Sequence, residues 1–325
     1  MRKVISYWLF LCAFMVLIMI AIGGYTRLEG AGLSIVEWKP VKGIFLPKNE
    51  TEWTMEFENY QRFPEYKQKN FNISLSEFKR IYLIEYLHRF LGRMIGLVFV
   101  IPLAFFALTK KITFSEIRYF SMIFLLGGAQ GFMGWYMVSS GLVKDPSVSQ
   151  YRLTAHLLMA ILIYSLLVWQ GLKFYNKTNK KTLSSSPHFT ILTILVMLQI
   201  TLGGLLAGLH GGLIYNTFPL MDDKFIPPGL FFLSPIYLNF FENITMVQFL
   251  HRMLGMLIVC YSAYIAIITR MKIFFALIVM QFLLGILTLL KLVPTHLALA
   301  HQLLAIVLLT NLLLILNNSY THKLS

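Results

Sequence analysis

Apolar residues in this chain come in long blocks separated by short polar connections. Eight blocks are legible, at roughly 4–26, 83–107, 119–139, 151–172, 189–209, 245–268, 273–293 and 296–316. Each is about the length a helix needs to cross some 30 Å of hydrocarbon. The pattern predicts an all-α polytopic membrane protein with eight transmembrane helices. A transmembrane barrel would alternate apolar and polar residues in shorter segments. The apolar start of the chain is too long for a secretory signal and lacks a small-residue cleavage site, so it reads as the first span. No Arg/Ser-rich transit sequence precedes it, which favours a bacterial protein.

Two connections are longer. The first, about 27 to 82, is mixed in charge, and Ser74–Ser76 before Glu77 looks like a helix start. Short amphipathic helices are expected there. The second, 211 to 245, holds "FIPPGLFFLSPIYLNFF". Its prolines argue for an interfacial segment rather than a span.

Composition agrees with the blocks. The chain of 325 residues is 57% hydrophobic and only 13% charged, about half the charged fraction of a soluble protein. The formal net charge of +14 could suggest nucleic acid, but the basic residues sit in clusters between spans. Arg2/Lys3, Lys110/Lys111/Arg118, Lys173/Lys177/Lys180/Lys181, Arg270/Lys272 and Lys323 fall on one side, with Glu116 as its single acid. The positive-inside rule makes that side cytoplasmic and places both termini there. The two cysteines, Cys12 and Cys260, lie inside apolar blocks and read as packing residues.

The blocks echo one another. "IGGYTR" ends the first and "LGGLLAG" the fifth; "LHRFLG" opens the second and "LHRMLG" the sixth. A glutamine followed by glycine marks the third ("AQGFMGW") and the seventh ("MQFLLG"); "YRLTAHLLMAIL" and "LALAHQLLAIVL" open the fourth and the eighth. This order implies two four-helix halves, 1–182 and 183–325, as parallel repeats about an axis near the membrane normal.

Four histidines fall at matching places: His88, His156, His251 and His301, each near the outer start of an even-numbered span. Ionisable residues inside a membrane mark function by default. Two imidazoles at one depth in an apolar bundle suit bis-axial ligation of heme iron. Zinc would want further ligands, and no cysteine or carboxylate cluster accompanies either pair. Simple hydrogen bonding between helices is the plainer alternative. Ten glycines, Gly92 and Gly203 among them, would leave room for a flat ring, or would simply pack helices. Arg89 and Arg252 directly follow two of the histidines and are candidate partners for heme propionates; the alternative is a snorkelling helix anchor. His188, His210, His296 and His322 have no repeat counterparts and read as interfacial or solvated.

Glu85 precedes His88 by three residues and shares its helix face. The second copy has Gln248 in its place. An acid beside one ligand pair and an amide beside the other suggests one reactive site and one holding a permanent cofactor.

Several stretches then carry a resemblance: "GGYTRLEGAGLSIVEWKPVKG", "EFKRIYLIEYLHRFLGR", "GWYMVSSGL", "VSQYRLTAHL", "GLIYNTFPLMD", "FENITMVQFLHR" and "LALAHQ". Together they resemble the heme A synthase family of α-proteobacteria and mitochondria over nearly the whole chain. The resemblance implies oxidation of a ring methyl of heme O to a formyl group through successive hydroxylations and a geminal diol, with oxygen from water. It implies an N-terminal half that takes substrate heme O on His88 and His156. It implies a C-terminal half with heme b as cofactor on His251 and His301, all four being ligands to heme iron. Glu85 is then the catalytic candidate. The expected location is a bacterial inner membrane, with the heme sites toward the periplasm. Heme O synthase is a candidate delivery partner, and an electron acceptor is required that the residues do not identify. The cysteine pair that some bacterial members carry in the first outer loop is missing here, and Phe218 stands where tryptophan is expected. A diheme cytochrome that only passes electrons and a histidine-lined transporter are the competing readings.

Overall fold

The computed structural model describes residues 1–37, 42–175 and 187–321. The expected boundary at 182/183, together with Lys177, Lys180, Lys181, His322 and Lys323, lies outside the described residues. Among the described residues the protein is all-helical, with no strands. Ten α-helices follow in order: α1 (Arg2–Leu28), α2 (Glu50–Gln61), α3 (Pro64–Gln68), α4 (Leu75–Leu108), α5 (Phe114–Gly141), α6 (Gln150–Tyr175), α7 (Pro187–Gly208), α8 (Ile244–Thr269), α9 (Lys272–Leu290) and α10 (Thr295–Thr321).

Seven of them, α1, α4, α6, α7, α8, α9 and α10, are long and apolar enough to cross a membrane. The protein is accordingly a multi-pass membrane protein. Their outward faces carry large apolar side chains, such as Leu11 and Phe14 on α1, Ile101 and Phe105 on α4, and Ile267 on α8. In hydrocarbon such exposure costs nothing, and helices associate through close packing and interhelical hydrogen bonds instead. The eighth long helix, α5, has the length but is less apolar, with Gly127, Gly128, Gln130, Gly131 and Gly134 in its middle.

Helix starts are set by local capping. Ser74 and Glu77 form a reciprocal capping box, so α4 begins at Leu75, eight residues ahead of the expected span. The added turns carry Phe78 and Tyr82 into a buried aromatic cluster with Tyr60 of α2. Phe78 lies 5.2 Å from Tyr60, and Tyr82 lies 5.1 Å from Trp53, between ring centroids. The expected short helices of the first connection are thus α2 and α3. Thr113 with Glu116 builds the same box at α5. Asn243 caps α8 and donates through its amide to Gly229 O at 2.7 Å and Asn239 Oδ1 at 3.0 Å, tying the helix start to the loop before it. That loop contains 3₁₀ turns at Gly211–Leu213 and Ile236–Phe240 and no span.

The described residues fall into two compact units, Met1 with those within 7–166, and 2–6 with those within 167–321. In the first, Trp8 donates its indole N–H to Val98 O at 2.9 Å and packs on Phe99, Phe106 and Phe120. In the second, Phe189, Leu192 and Val196 of α7 meet Ile258 and Ile265 of α8, Ile278 of α9 and Leu312 of α10 in one core. Cys12 is buried, as packing requires, whereas Cys260 is exposed on α8.

Candidate functional site

Every one of the four histidines faces a glycine on the preceding long helix. A Cβ built on Gly23 of α1 would lie 3.0 Å from His88 Cε1, and one on Gly134 of α5 would lie 3.1 Å from His156 Cε1. The corresponding distances are 3.3 Å for Gly203 of α7 to His251 and 2.7 Å for Gly285 of α9 to His301. Each ring therefore lies in a notch that any side chain would fill.

Glutamines stand four residues ahead of three of these glycines. Gln130 Nε2 donates to the backbone carbonyl of His156 at 3.0 Å, Gln199 to that of His251 at 2.9 Å and Gln281 to that of His301 at 2.9 Å. Gln199 Nε2 also lies 3.3 Å from His251 Nε2. Sequence reading picked out the glutamine-then-glycine pattern around Gln130 and Gln281 but missed Gln199, which has the same spacing ahead of Gly203. It also missed Gly23 and Gly285 as ring supports. Of the glycines it did single out, Gly134 and Gly203 support rings, while Gly96, Gly127, Gly128 and Gly131 face open space.

The Nδ1 atoms of His88, His156, His251 and His301 are all buried without a hydrogen-bond partner. A buried polar atom left unsatisfied is costly, and native proteins contain few. Four at repeated positions point to a ligand. His88 and His156 lie within electrostatic reach of each other in the first unit, as do His251 and His301 in the second. Among the described residues no three His, Cys, Asp or Glu side chains converge as a metal-binding set. A bare ion would need such a set, whereas iron already held by a porphyrin needs only two axial donors. The residues fit heme.

Glu85 is buried, with 3% of its surface exposed. Its Oε2 accepts from Ser34 Oγ at 2.7 Å and from the Ile35 amide at 2.8 Å. Its Oε1 accepts from Arg89 Nη2 at 2.7 Å. Arg89 also donates to Ile35 O at 2.9 Å and Glu37 O at 3.3 Å. In the second unit Gln248 donates to Gly211 O at 3.0 Å and Ile214 O at 2.6 Å. Arg252 donates to Tyr215 O at 2.5 Å, Thr217 O at 2.8 Å and Leu220 O at 3.2 Å. The first pair grips the loop that follows α1 and the second the loop that follows α7. Arg252 keeps a buried Nε with no partner.

The remaining histidines stand apart. His210 is exposed, in a left-handed conformation (φ 54°) ahead of a 3₁₀ turn, and His296 is exposed. His188 pairs through Nδ1 with Tyr261 Oη at 2.8 Å, so it has a protein partner. Phe218 lies 5.8 Å from Phe282, edge-on, next to Gln281.

Residues 6–313 match the COX15-CtaA family model, described as cytochrome oxidase assembly protein. The chain belongs to this family. Among COX15-CtaA relatives, the heme A synthase of Wolbachia pipientis wMel is 44% identical over 94% of this chain and 90% of its own. That of Nitrosospira multiformis is 44% identical over 95% of this chain and 91% of its own. That of Anaplasma marginale strain Florida is 44% identical over 92% of this chain and 89% of its own.

Proposed function

We propose that this protein is a heme A synthase, an oxidoreductase that converts a methyl group on the ring of heme O to a formyl group. The named relatives and the family match support this reading over a plain diheme cytochrome or a transporter. The reaction takes up one water and releases four protons and four electrons for each methyl carried to the aldehyde. The observation that carries the site assignment is the set of four buried, unpartnered imidazole nitrogens, two in each unit, with a carboxylate one turn ahead of only one pair.

On this reading His88 and His156 hold substrate heme O, and His251 and His301 hold heme b. Heme b, when bound, supplies a one-electron relay. Glu85 takes protons as the methyl group is oxidised. Ser34, Ile35 and Arg89 hold its carboxylate in place. Gln248 is an amide with no such capacity and fits a site that only retains its cofactor. The unpartnered Nε of Arg252 is free to pair with a heme b propionate. Arg89, already holding Glu85 and two carbonyls, is the weaker of the two propionate candidates.

Four histidine–glycine contacts in the same helix order support an origin in a duplicated four-helix unit, with α5 as an eighth crossing. The clustered basic residues support cytoplasmic termini in a bacterial inner membrane, with the heme sites toward the opposite face. Heme O synthase is the natural supplier of the substrate.

Extraction and chromatography of hemes from cells that make heme O, with and without this chain, tests the function. Heme A should appear only with the chain. Bound heme b with heme O left unchanged, in the presence of an electron acceptor, would support the cytochrome reading instead.

A further inference from the structure

The phrase that ends the first apolar block closes on an arginine, and the phrase that echoes it does not. Arg27 stands four residues after Gly23, the glycine that faces the His88 ring. The residues four after the other three notch glycines are Val138, Ala207 and Leu289. A cation at this register belongs to one notch of the four, the one at the histidine that Glu85 precedes.

Four residues make about one helical turn, so Arg27 shares the α1 face of Gly23 and lies one turn nearer the helix end. Helical side chains lean toward the N-terminus. That of Arg27 accordingly covers the turn that holds Gly23, where the His88 ring meets α1. The residue is half-buried. An arginine that only anchors a helix end reaches into solvent, as Arg80 does with 69% of its side chain exposed. A place in the last turn of α1 suits the helix dipole, but an exposed cation would serve that equally well. Among the described residues the Arg27 guanidinium has no hydrogen-bond, ion-pair or ring partner. Five N–H donors and a full charge, covered by protein and paired with nothing, are costly. An anionic ligand removes that cost. The planar fork suits a carboxylate, through two parallel bonds. The other arginine near His88, Arg89, is already engaged with Glu85 and with the carbonyls of Ile35 and Glu37.

We propose that Arg27 binds a propionate carboxylate of the porphyrin substrate in the first unit. The inference rests on the proposal that this unit takes heme O. Arg27 on α1 gives the first unit what Arg252 on α8 offers the second, a guanidinium with donors to spare. The two units thus draw their propionate partners from different helices. Oxidation of the methyl group leaves the propionates untouched, so Arg27 serves binding rather than the chemical step.

The test is binding of heme O to full-length protein that already holds heme b, followed by Soret absorption. The free acid is compared with the dimethyl ester, in which both propionates are capped. The wild type should bind the acid about ten- to a hundredfold more tightly than the diester, the range of a hydrogen bond to a charged group. Arg27→Gln should lose that preference by weakening the acid alone. Arg27→Lys, which keeps the charge, should retain part of it. Equal affinity of the wild type for acid and diester overturns the proposal, whether or not R27Q assembles. An R27Q protein that binds both forms equally weakly, each weaker than the wild type, overturns it and makes Arg27 a structural residue. An R27Q protein that keeps the preference, while Arg89→Gln loses it, overturns it and gives the propionate to Arg89. The readout needs no turnover. A wild-type chain that shows the contrast but makes no heme A would overturn the function and keep the role of Arg27. Heme A formation without the contrast would overturn the role of Arg27 alone.

Discussion

Glu85 and Arg89, one turn apart on α4, close a 2.7 Å ion pair, and both also hold the peptide of Ile35, one at its amide and the other at its carbonyl. The second unit grips its corresponding loop with Gln248 and Arg252, and there the loop offers carbonyls where the first offers an amide. The acid in one copy and the amide in the other thus match the polarity of the loop as well as the chemistry proposed for each site.

The two roles of Glu85 separate in its variants. Glu85→Gln keeps an oxygen for Ser34 and the Ile35 amide but cannot take a proton. Its heme A yield should fall by about a hundredfold or more, with heme b content unchanged. Glu85→Ala should also loosen the loop, seen as faster proteolysis near Ile35. Near-normal heme A from the glutamine variant would assign Glu85 to loop anchoring alone.

His251→Ala and His301→Ala should each abolish retention of heme b, read as the loss of its absorption bands from purified protein. His88→Ala and His156→Ala should leave those bands in place. Heme b retained in full by both second-unit variants would show that its ligands are elsewhere.

The glycine notches predict a graded series. Gly285→Ala puts a methyl group 2.7 Å from His301 Cε1, closer than carbon atoms tolerate, while Gly203→Ala brings it to 3.3 Å from His251. The first should displace its ring and alter the electron paramagnetic resonance of heme b markedly, the second only slightly. Gly127→Ala, with nothing within 4 Å, should change nothing. Equal spectra for all three would mean that the notches do not set ring orientation.

Glu65, at the start of α3, is pushed up to about 7 by burial, with the nearby charge of Glu85 adding to the effect; the Tyr60 hydroxyl and Lys69 act against it. The folded segment of α2 and α3 therefore binds a proton more tightly than the unfolded chain. Its stability is full below about pH 4.5 and falls as pH rises toward 7, by about 3 kcal/mol in all. Glu65→Gln should remove that slope and protect the segment at pH 8, as measured by amide exchange of α2 and α3. A slope that persists in the variant would place the titrating group elsewhere.

Much of this was legible in the sequence. Block length gave seven helices apolar enough to span a membrane, and repeated phrases led to the four histidines that face glycines. The start of α4 was not, because the eight extra residues are polar and aromatic and follow a cap rather than an apolar period. Gln199 was hidden in the middle of an apolar helix whose other polar side chains are three threonines and His188 at its start. The partners of Glu85 depend on a loop fifty residues away, a distance across which no periodicity carries.

The spacing that seats each ring is short: a glycine on one helix, a residue four before it, and a histidine on the next long helix. A unit of so few fixed positions can be moved. Written into an inert pair of antiparallel membrane helices, it would make a minimal socket for one face of a porphyrin.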